Sequence, residues 1–157
     1  MTTRAPHLRP ATADDAPAIA QVHRASFGEA LWWIPRLHTP EEDLVFFTWV
    51  VTEQQVFVVE RAGDVVGFSA YDAGWLNQLY VAPGSQNLGI GGDLLDEVKL
   101  AHVDQQSTRP LSAWTFQANE GARRFYERHQ FVPVEFTDGT GNEEREPDVR
   151  YEWRTPD

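Results

Sequence analysis

Residues 79–92, LYVAPGSQNLGIGG, constrain the fold of this chain more than any other stretch. Leu79, Tyr80, Val81 and Ala82 suit a strand and run into Pro83-Gly84. After a short polar loop, Gln86-Asn87-Leu88-Gly89-Ile90-Gly91-Gly92 opens the amphipathic segment Asp93–His102. The order is strand, glycine-rich turn, helix. Glycines at such a turn let backbone come close to a bulky ligand. The helix start beyond it offers unpaired N–H groups and a partial positive charge. Together these make a cradle for an anion such as a pyrophosphate. No Lys-Ser or Lys-Thr follows the glycines, so the stretch is not a P-loop. It is also a poor dinucleotide fingerprint, lying past the middle of the chain after a run of strands that reads as antiparallel.

The remaining elements follow from periodicity and punctuation. His7-Leu8-Arg9 reads as a first strand. Thr12 caps a helix in which Ala16, Ile19, Ala20, His23 and Phe27 recur at helical spacing. Gly28–His38 is aromatic and irregular. Thr39-Pro40-Glu41-Glu42 is a second helix start, with an N-cap, a proline at the first turn and a capping-box Glu. Val56–Glu60 and Val65–Ala70 are strands about the turn Arg61-Ala62-Gly63-Asp64, and Trp75–Val81 is a third. The helix after the glycine loop buries Ile90, Leu94, Leu95, Val98 and Ala101. Strand Arg109–Thr115, helix Asn119–His129, strand Phe131–Phe136, a polar loop over Thr137–Pro147 and a strand near Val149–Trp153 complete the chain. The order βααβββαβαββ predicts a mixed sheet with helices on both faces. With 157 residues and no repeat or linker, a single domain over 1–157 is expected.

Composition excludes several classes. A net charge of -11 disfavours nucleic-acid binding, which needs a basic footprint, and mildly favours cationic substrates. There is no cysteine, hence no disulfide framework, no thiolate metal site and no Cys-linked covalent intermediate. The histidines are scattered without acids at ligand spacing, so no metal is expected. Met1–Pro10 carries arginines without an apolar run behind them, and Leu44–Val51 is too short to span a bilayer. A cytoplasmic protein with no membrane partner is the expectation.

A second segment narrows the glycine loop. Asn119, Ala122, Phe125-Tyr126 and Phe131 follow about thirty residues on. With Gln86-x-x-Gly89-x-Gly91, the pair resembles the acetyl-CoA signature and second cofactor segment of the GCN5-related N-acetyltransferase (GNAT) superfamily, over roughly residues 7–155. The resemblance implies a GNAT-like acyl-CoA N-acyltransferase fold: a central twisted, mostly antiparallel sheet with a splayed parallel strand pair. It implies acetyl-CoA as cofactor, and family members often form homodimers. Leu79, Tyr80 and Val81 would pair with the pantetheine arm as an added strand. The backbone around Gln86, Asn87, Leu88, Gly89, Ile90, Gly91 and Gly92 would hold the pyrophosphate. Asn119 would cap its helix and contact the cofactor arm. Arg123 and Arg124 are further candidates for the phosphates.

Acetyl transfer to an amine needs a neutral amine, a donor to the oxyanion and a proton for the departing thiolate. The resemblance makes Tyr126 the proton donor, a role suited to a phenol of pKa about 10. The Leu79 N–H is the oxyanion candidate. Relatives often carry an acid on the strand before the acetyl site. Asn77 and Gln78 stand there in this chain, which leaves His23, Glu29, His38, Asp72 or a water chain as base. Relatives also often place glycine where Gln130 stands, which suggests that the helix ends differently. Trp32 and Trp33, with the acidic loop carrying Glu143, Glu144, Glu146 and Asp148, are the substrate-recognition candidates. The expected reaction is direct transfer to a small primary amine. The alternatives are a protein N-terminus or lysine as acceptor, or an acyl-CoA-binding sensor without turnover.

Overall fold

The computed structural model describes residues 5–105 and 108–156; the remainder, including part of the Met1–Pro10 leader reading, lies outside that range. Strand β1 is His7–Pro10, helix α1 Ala16–Ala30, helix α2 Pro40–Glu53, β2 Gln55–Arg61, β3 Asp64–Asp72 and β4 Trp75–Val81. Helix α3 is Ile90–Asp104, β5 Leu111–Phe116, α4 Glu120–Arg128, β6 Val132–Phe136 and β7 Asp148–Trp153. The seven strands lie in the order β1-β2-β3-β4-β5-β7-β6. Every neighbouring pair is antiparallel except β4 and β5. The mixed, mostly antiparallel sheet read from the sequence is therefore the one formed.

Alternation along the strands buries both sheet faces. Val56, Val58, Phe68 and Ala70 pack against Ile19, Ala20 and Val22 of α1 and Phe47 and Val50 of α2. Phe57 and Val59 point the other way, onto Ile90 and Leu94 of α3. Farther along that side, Leu95 and Val98 meet Leu111, Ala113, Tyr126 and Tyr151. Each of the Val, Leu, Ile and Phe side chains among these supplies on the order of 1.5–3 kcal/mol by leaving water. Helix starts are fixed locally. The Glu42 N–H donates to Thr39 Oγ1 at 3.1 Å, and the Thr39 N–H donates to Glu42 Oε1 at 2.9 Å. At α1, the Thr12 N–H donates to Asp15 Oδ2 at 2.7 Å, and the Arg9 guanidinium joins Asp15 to Glu60, tying β1, α1 and β2 together.

Three boundaries differ from the sequence reading. Helix α1 continues through Ala30, so the irregular segment begins at Leu31; Leu31 and Ile34 are buried and hold it against the body. Helix α3 starts at Ile90, ahead of the amphipathic run Asp93–His102, with Gly89 as its N-cap and Ile90 buried as the sequence reading has it. Helix α4 does end in the left-handed turn that Gln130 seemed to disfavour: Gln130 has φ 69°. The Phe131 N–H donates to the Tyr126 carbonyl at 3.0 Å and the Gln130 N–H to the Glu127 carbonyl at 3.2 Å. That pair of bonds is a Schellman cap, and its carbonyls outweigh the conformational cost of a non-glycine residue.

Candidate functional site

The site is organised by β4, which has one free edge and two differently used faces. The Ala82 N–H donates to the Val66 carbonyl at 2.7 Å, and in the same register Tyr80 opposes Phe68 while Leu79 opposes Ser69. Antiparallel pairs alternate between bonded and non-bonded positions. Tyr80 is thus bonded to β3, whereas Leu79 and Val81 turn their N–H and C=O groups toward β5. Yet β5 pairs with β4 only at Trp75 and Ser112. Beyond that point the two strands splay, and Leu79 and Val81 face the gap. The Val81 carbonyl is taken by Ser26 Oγ at 2.7 Å and Gln86 Nε2 at 3.2 Å, which stitches the loop to the strand. Tyr80, grouped with its neighbours as a backbone-pairing residue, instead contributes its ring.

The glycine loop divides by role. Asn87 and Gly89 are left-handed, with φ 62° and 81°. Gly89 is the N-cap of α3, and no side chain caps that helix. Its first internal bond is Asp93 N–H to the Gly89 carbonyl at 3.0 Å, which leaves the N–H groups of Ile90, Gly91 and Gly92 for an outside acceptor. A Cβ on Gly89 would meet nothing within 4 Å, so the approach is open. Gly91 and Gly92 face α4: a Cβ there would lie 3.3 Å from Phe125 Cε2 and 3.3 Å from His129 Cε1. Those two glycines let two helices meet. Leu88, in the same loop, is half-exposed.

On the α1–α2 side of β4 lies a cavity of about 940 Å³, walled by α1, α2, the ends of β4 and β5 and the loop between β6 and β7. Gln78 and Asn77 line it, and Asn77 Nδ2 donates to Gln54 Oε1 at 3.1 Å, so β4 brings no carboxylate. Of the four side chains considered as bases, His23 and His38 line the cavity; Glu29 and Asp72 do not. His23 sits among Phe27, Phe47 and Tyr80, the Tyr80 centroid 4.8 Å away, and its buried Nδ1 has no partner among the described residues. Burial pushes its pKa down to about 4, so the ring is neutral at pH 7. His38 Nε2 is 2.8 Å from Glu143 Oε1, a bond that raises the His38 pKa and joins two cavity walls.

Tyr126 approaches from the α3 side. Its ring is buried in the cluster against which Leu79 packs, stacks on Tyr151 at 5.7 Å and touches Phe131 at 5.2 Å. Burial, then the nearby Tyr80, holds its hydroxyl protonated far above ordinary phenol pH. Tyr80 is itself pushed up to about 12, by burial and then by the charge of Glu144. Asn119 Oδ1 accepts the Ala122 N–H at 3.2 Å, capping α4, and the residue also lines the cavity. Arg123 is occupied: its Nε donates to the Tyr151 hydroxyl at 3.1 Å. Arg124 is exposed beside Glu120. Trp32 and Trp33 stack on each other edge to face, 78% and 42% exposed, and neither lines the cavity. Leu31, Pro35, Arg36, Leu37 and His38 supply that wall instead. What sequence reasoning missed is that the Tyr80 ring faces the cavity beside His23, which it named only as a candidate base; the alternation of Tyr80 with Leu79 and Val81 was the available signal. Among the described residues there is no group of three or more potential metal ligands, and no helix is long and apolar enough to cross a membrane.

Comparison with known proteins matches this geometry. Residues 52–133 match the model of the acetyltransferase (GNAT) domain family. An uncharacterized N-acetyltransferase of Archaeoglobus fulgidus is 28% identical over 111 residues, 62% of this chain and 74% of that protein. One from Methanocaldococcus jannaschii is 28% identical over 107 residues, 60% of this chain; the chain spans about half, 47%, of that relative's length. A GCN5-related N-acetyltransferase from Rhodopseudomonas palustris superposes with TM-score 0.82 over 99% of each chain, at 20% identity. The PaiA N-acetyltransferase of Thermoplasma acidophilum, solved in complex with coenzyme A, gives 0.76 over 97% of this chain and 100% of that one, at 18% identity. The structural likenesses speak for the fold, and the domain match covers more than half of the sequence. The chain belongs to the GNAT acetyltransferase family, N-acetyltransferases whose acetyl donor is acetyl-CoA.

Proposed function

We propose that the protein transfers acetyl directly from acetyl-CoA to the primary amine of a small molecule, with both substrates bound at once. The observation that carries this is the double use of β4: Leu79 and Val81 face the splay while the Tyr80 ring, one position along, faces the cavity. Bound acetyl-CoA supplies an activated thioester and a thiolate leaving group. The free backbone groups of Leu79 and the Val81 N–H fit an amide-rich arm. The uncapped N–H groups of Ile90, Gly91 and Gly92 fit a pyrophosphate without any basic side chain, which suits an acidic protein. The Leu79 N–H serves as oxyanion donor, and Tyr126 keeps a proton at its hydroxyl for the departing sulfur. Asn119 positions the start of α4 beside them. Water in the open cavity receives the amine proton, since β4 carries no carboxylate.

A cavity of about 940 Å³, two walls of which are joined by the His38–Glu143 bond at 2.8 Å, supports a small acceptor. The test is acetyl-CoA-dependent thiol release against a panel of small primary amines and of peptides with free N-termini or lysines. Release with small amines is the expected result. Release with peptides alone overturns the acceptor class. Thermal stabilisation by acetyl-CoA with no release against any amine marks a sensor instead of an enzyme.

A further inference from the structure

We propose that Glu144 anchors the ammonium group of the acceptor on entry, that this group then loses a proton to water so that the neutral amine attacks, and that the acceptor is a small primary amine with an aromatic or apolar body. The proposal rests on the reading of the cavity as the acceptor site. Six carboxylates line that cavity: Glu42, Asp43, Glu135, Glu143, Glu144 and Asp148. Five are already engaged. Glu42 accepts the Thr39 N–H, Asp43 pairs with Arg24 at 3.2 Å, and Glu135 pairs with Arg150 at 3.1 Å. Glu143 is bonded to His38, and Asp148 accepts from Thr137 Oγ1 and Asn142 Nδ2. Glu144 makes no hydrogen bond or ion pair among the described residues, and it is half-buried. A half-buried carboxylate without a partner is a vacancy for a cation.

The segment holding it is fixed on both sides. Asn142 Nδ2 donates to the Glu146 carbonyl at 2.8 Å, the Gly139 N–H donates to Thr137 Oγ1 at 3.1 Å, and Arg145 holds a left-handed φ of 55°. The cavity's guanidinium groups do not neutralise Glu144. Arg24 is spent on Asp43 and the His38 carbonyl, and Arg36 donates to the Arg24 carbonyl. Glu144 and the Tyr80 ring of β4 line the same cavity, and the charge of Glu144 adds to burial in raising the Tyr80 hydroxyl. The rest of the wall is aromatic: Phe27, Phe46, Phe47, Tyr80, Trp114 and Phe116. Rings beside a lone carboxylate suit a cation on an apolar body.

The experiment uses the full chain at saturating acetyl-CoA, with 2-phenylethylamine as acceptor and neutral 2-phenylethanol as competitor. Glu144→Gln is expected to raise the KM for the amine about tenfold or more. Its kcat should stay within about twofold and the inhibition constant of the alcohol should not change. Glu144→Asp should recover part of the loss. An unchanged KM in Glu144→Gln, or an equal loss for amine and alcohol, overturns the proposal. So does a wild-type enzyme that acetylates other amines but not 2-phenylethylamine. Acetyl-CoA stabilisation of each variant against heat reports an intact fold. Its absence in the wild type would sink the acetyltransferase reading instead, so the two failures are distinguishable.

Discussion

Replacing Gln130 by glycine will stabilise this protein by about 1 kcal/mol. Gln130 occupies the left-handed C′ position of the α4 cap at φ 69°, and its side chain is exposed and makes no hydrogen bond among the described residues. A residue with a Cβ loses about 1–2 kcal/mol in that conformation. Glycine removes the loss but brings back unfolded-chain entropy worth about 0.5–1 kcal/mol. The balance favours glycine, and for a domain of this size it corresponds to roughly 2–4 °C in Tm. A β-branched residue should move the other way, so Gln130→Val will lower Tm. The assay is thermal and urea unfolding of the three proteins, with unchanged m-values as the check that the cap alone was altered. Gln130→Gly no more stable than wild type would refute the strain; Gln130→Val equal to Gln130→Gly would refute the left-handed turn. The cap also bears on the site. Its C3 residue is Tyr126, whose carbonyl accepts the Phe131 N–H while the two rings pack at 5.2 Å. Stabilising the cap therefore holds in place the residue proposed as proton donor.

Tyr126→Phe will lower kcat by about tenfold or more while leaving stabilisation by acetyl-CoA near wild type, because it removes only a hydroxyl from a packed ring; full activity would reduce Tyr126 to packing. Acetyl-CoA at about 100 times its Kd will stabilise the wild type by about 2.7 kcal/mol, read as a thermal shift. Gly89→Val will weaken that effect and also lower Tm, since nothing in the protein lies within 4 Å of the new Cβ but the left-handed φ of 81° strains a β-branched residue. Gly91→Val will instead lower Tm by colliding with Phe125, 3.3 Å from the new Cβ. Asp15→Asn will cost about 2 kcal/mol at pH 7, in urea unfolding, by removing the partner of Arg9. Arg9 depresses the Asp15 pKa below 3.8 in the fold, so this stabilisation is full above that value and is lost as the pH falls through the folded pKa. The difference between the two proteins must shrink in acid.

What could be read from the sequence was what local chemistry decides. Thr39-Pro40-Glu41-Glu42 contains its own cap and acids, so α2 begins where the residues say. Gly63 is left-handed and closes the β2–β3 turn as its type suggests, and Ala62 beside it takes the same region. Asn119 accepts the N–H three residues on, as a cap must. What could not be read depends on a partner far along the chain. Gly89 and Gly91 look alike in a motif, yet one faces open space and the other faces Phe125. Trp32 and Trp33 look like recognition residues, but buried Leu31 and Ile34 set the path of the segment and turn both tryptophans outward. Gln130 looked unfit for a left-handed cap because the bonds that compensate it come from carbonyls of α4, outside the residue itself.

Glu144 is the sharpest case. In sequence it is one acid among Glu143, Glu144, Glu146 and Asp148, and nothing separates it from a solvated loop. Its distinction is negative: its neighbours in the cavity are claimed by Thr39, Arg24, His38, Arg150, Thr137 and Asn142, which come from four different segments. Only after those pairings are made is one charge left over, and it is left in an aromatic cavity next to β4. A chain with net charge -11 has many carboxylates that could attract an amine from solution. Long-range attraction is shared by all of them and is screened by salt within about 8 Å. On the proposed reading, selection of one amine over another therefore falls to the carboxylate that the protein has not already used.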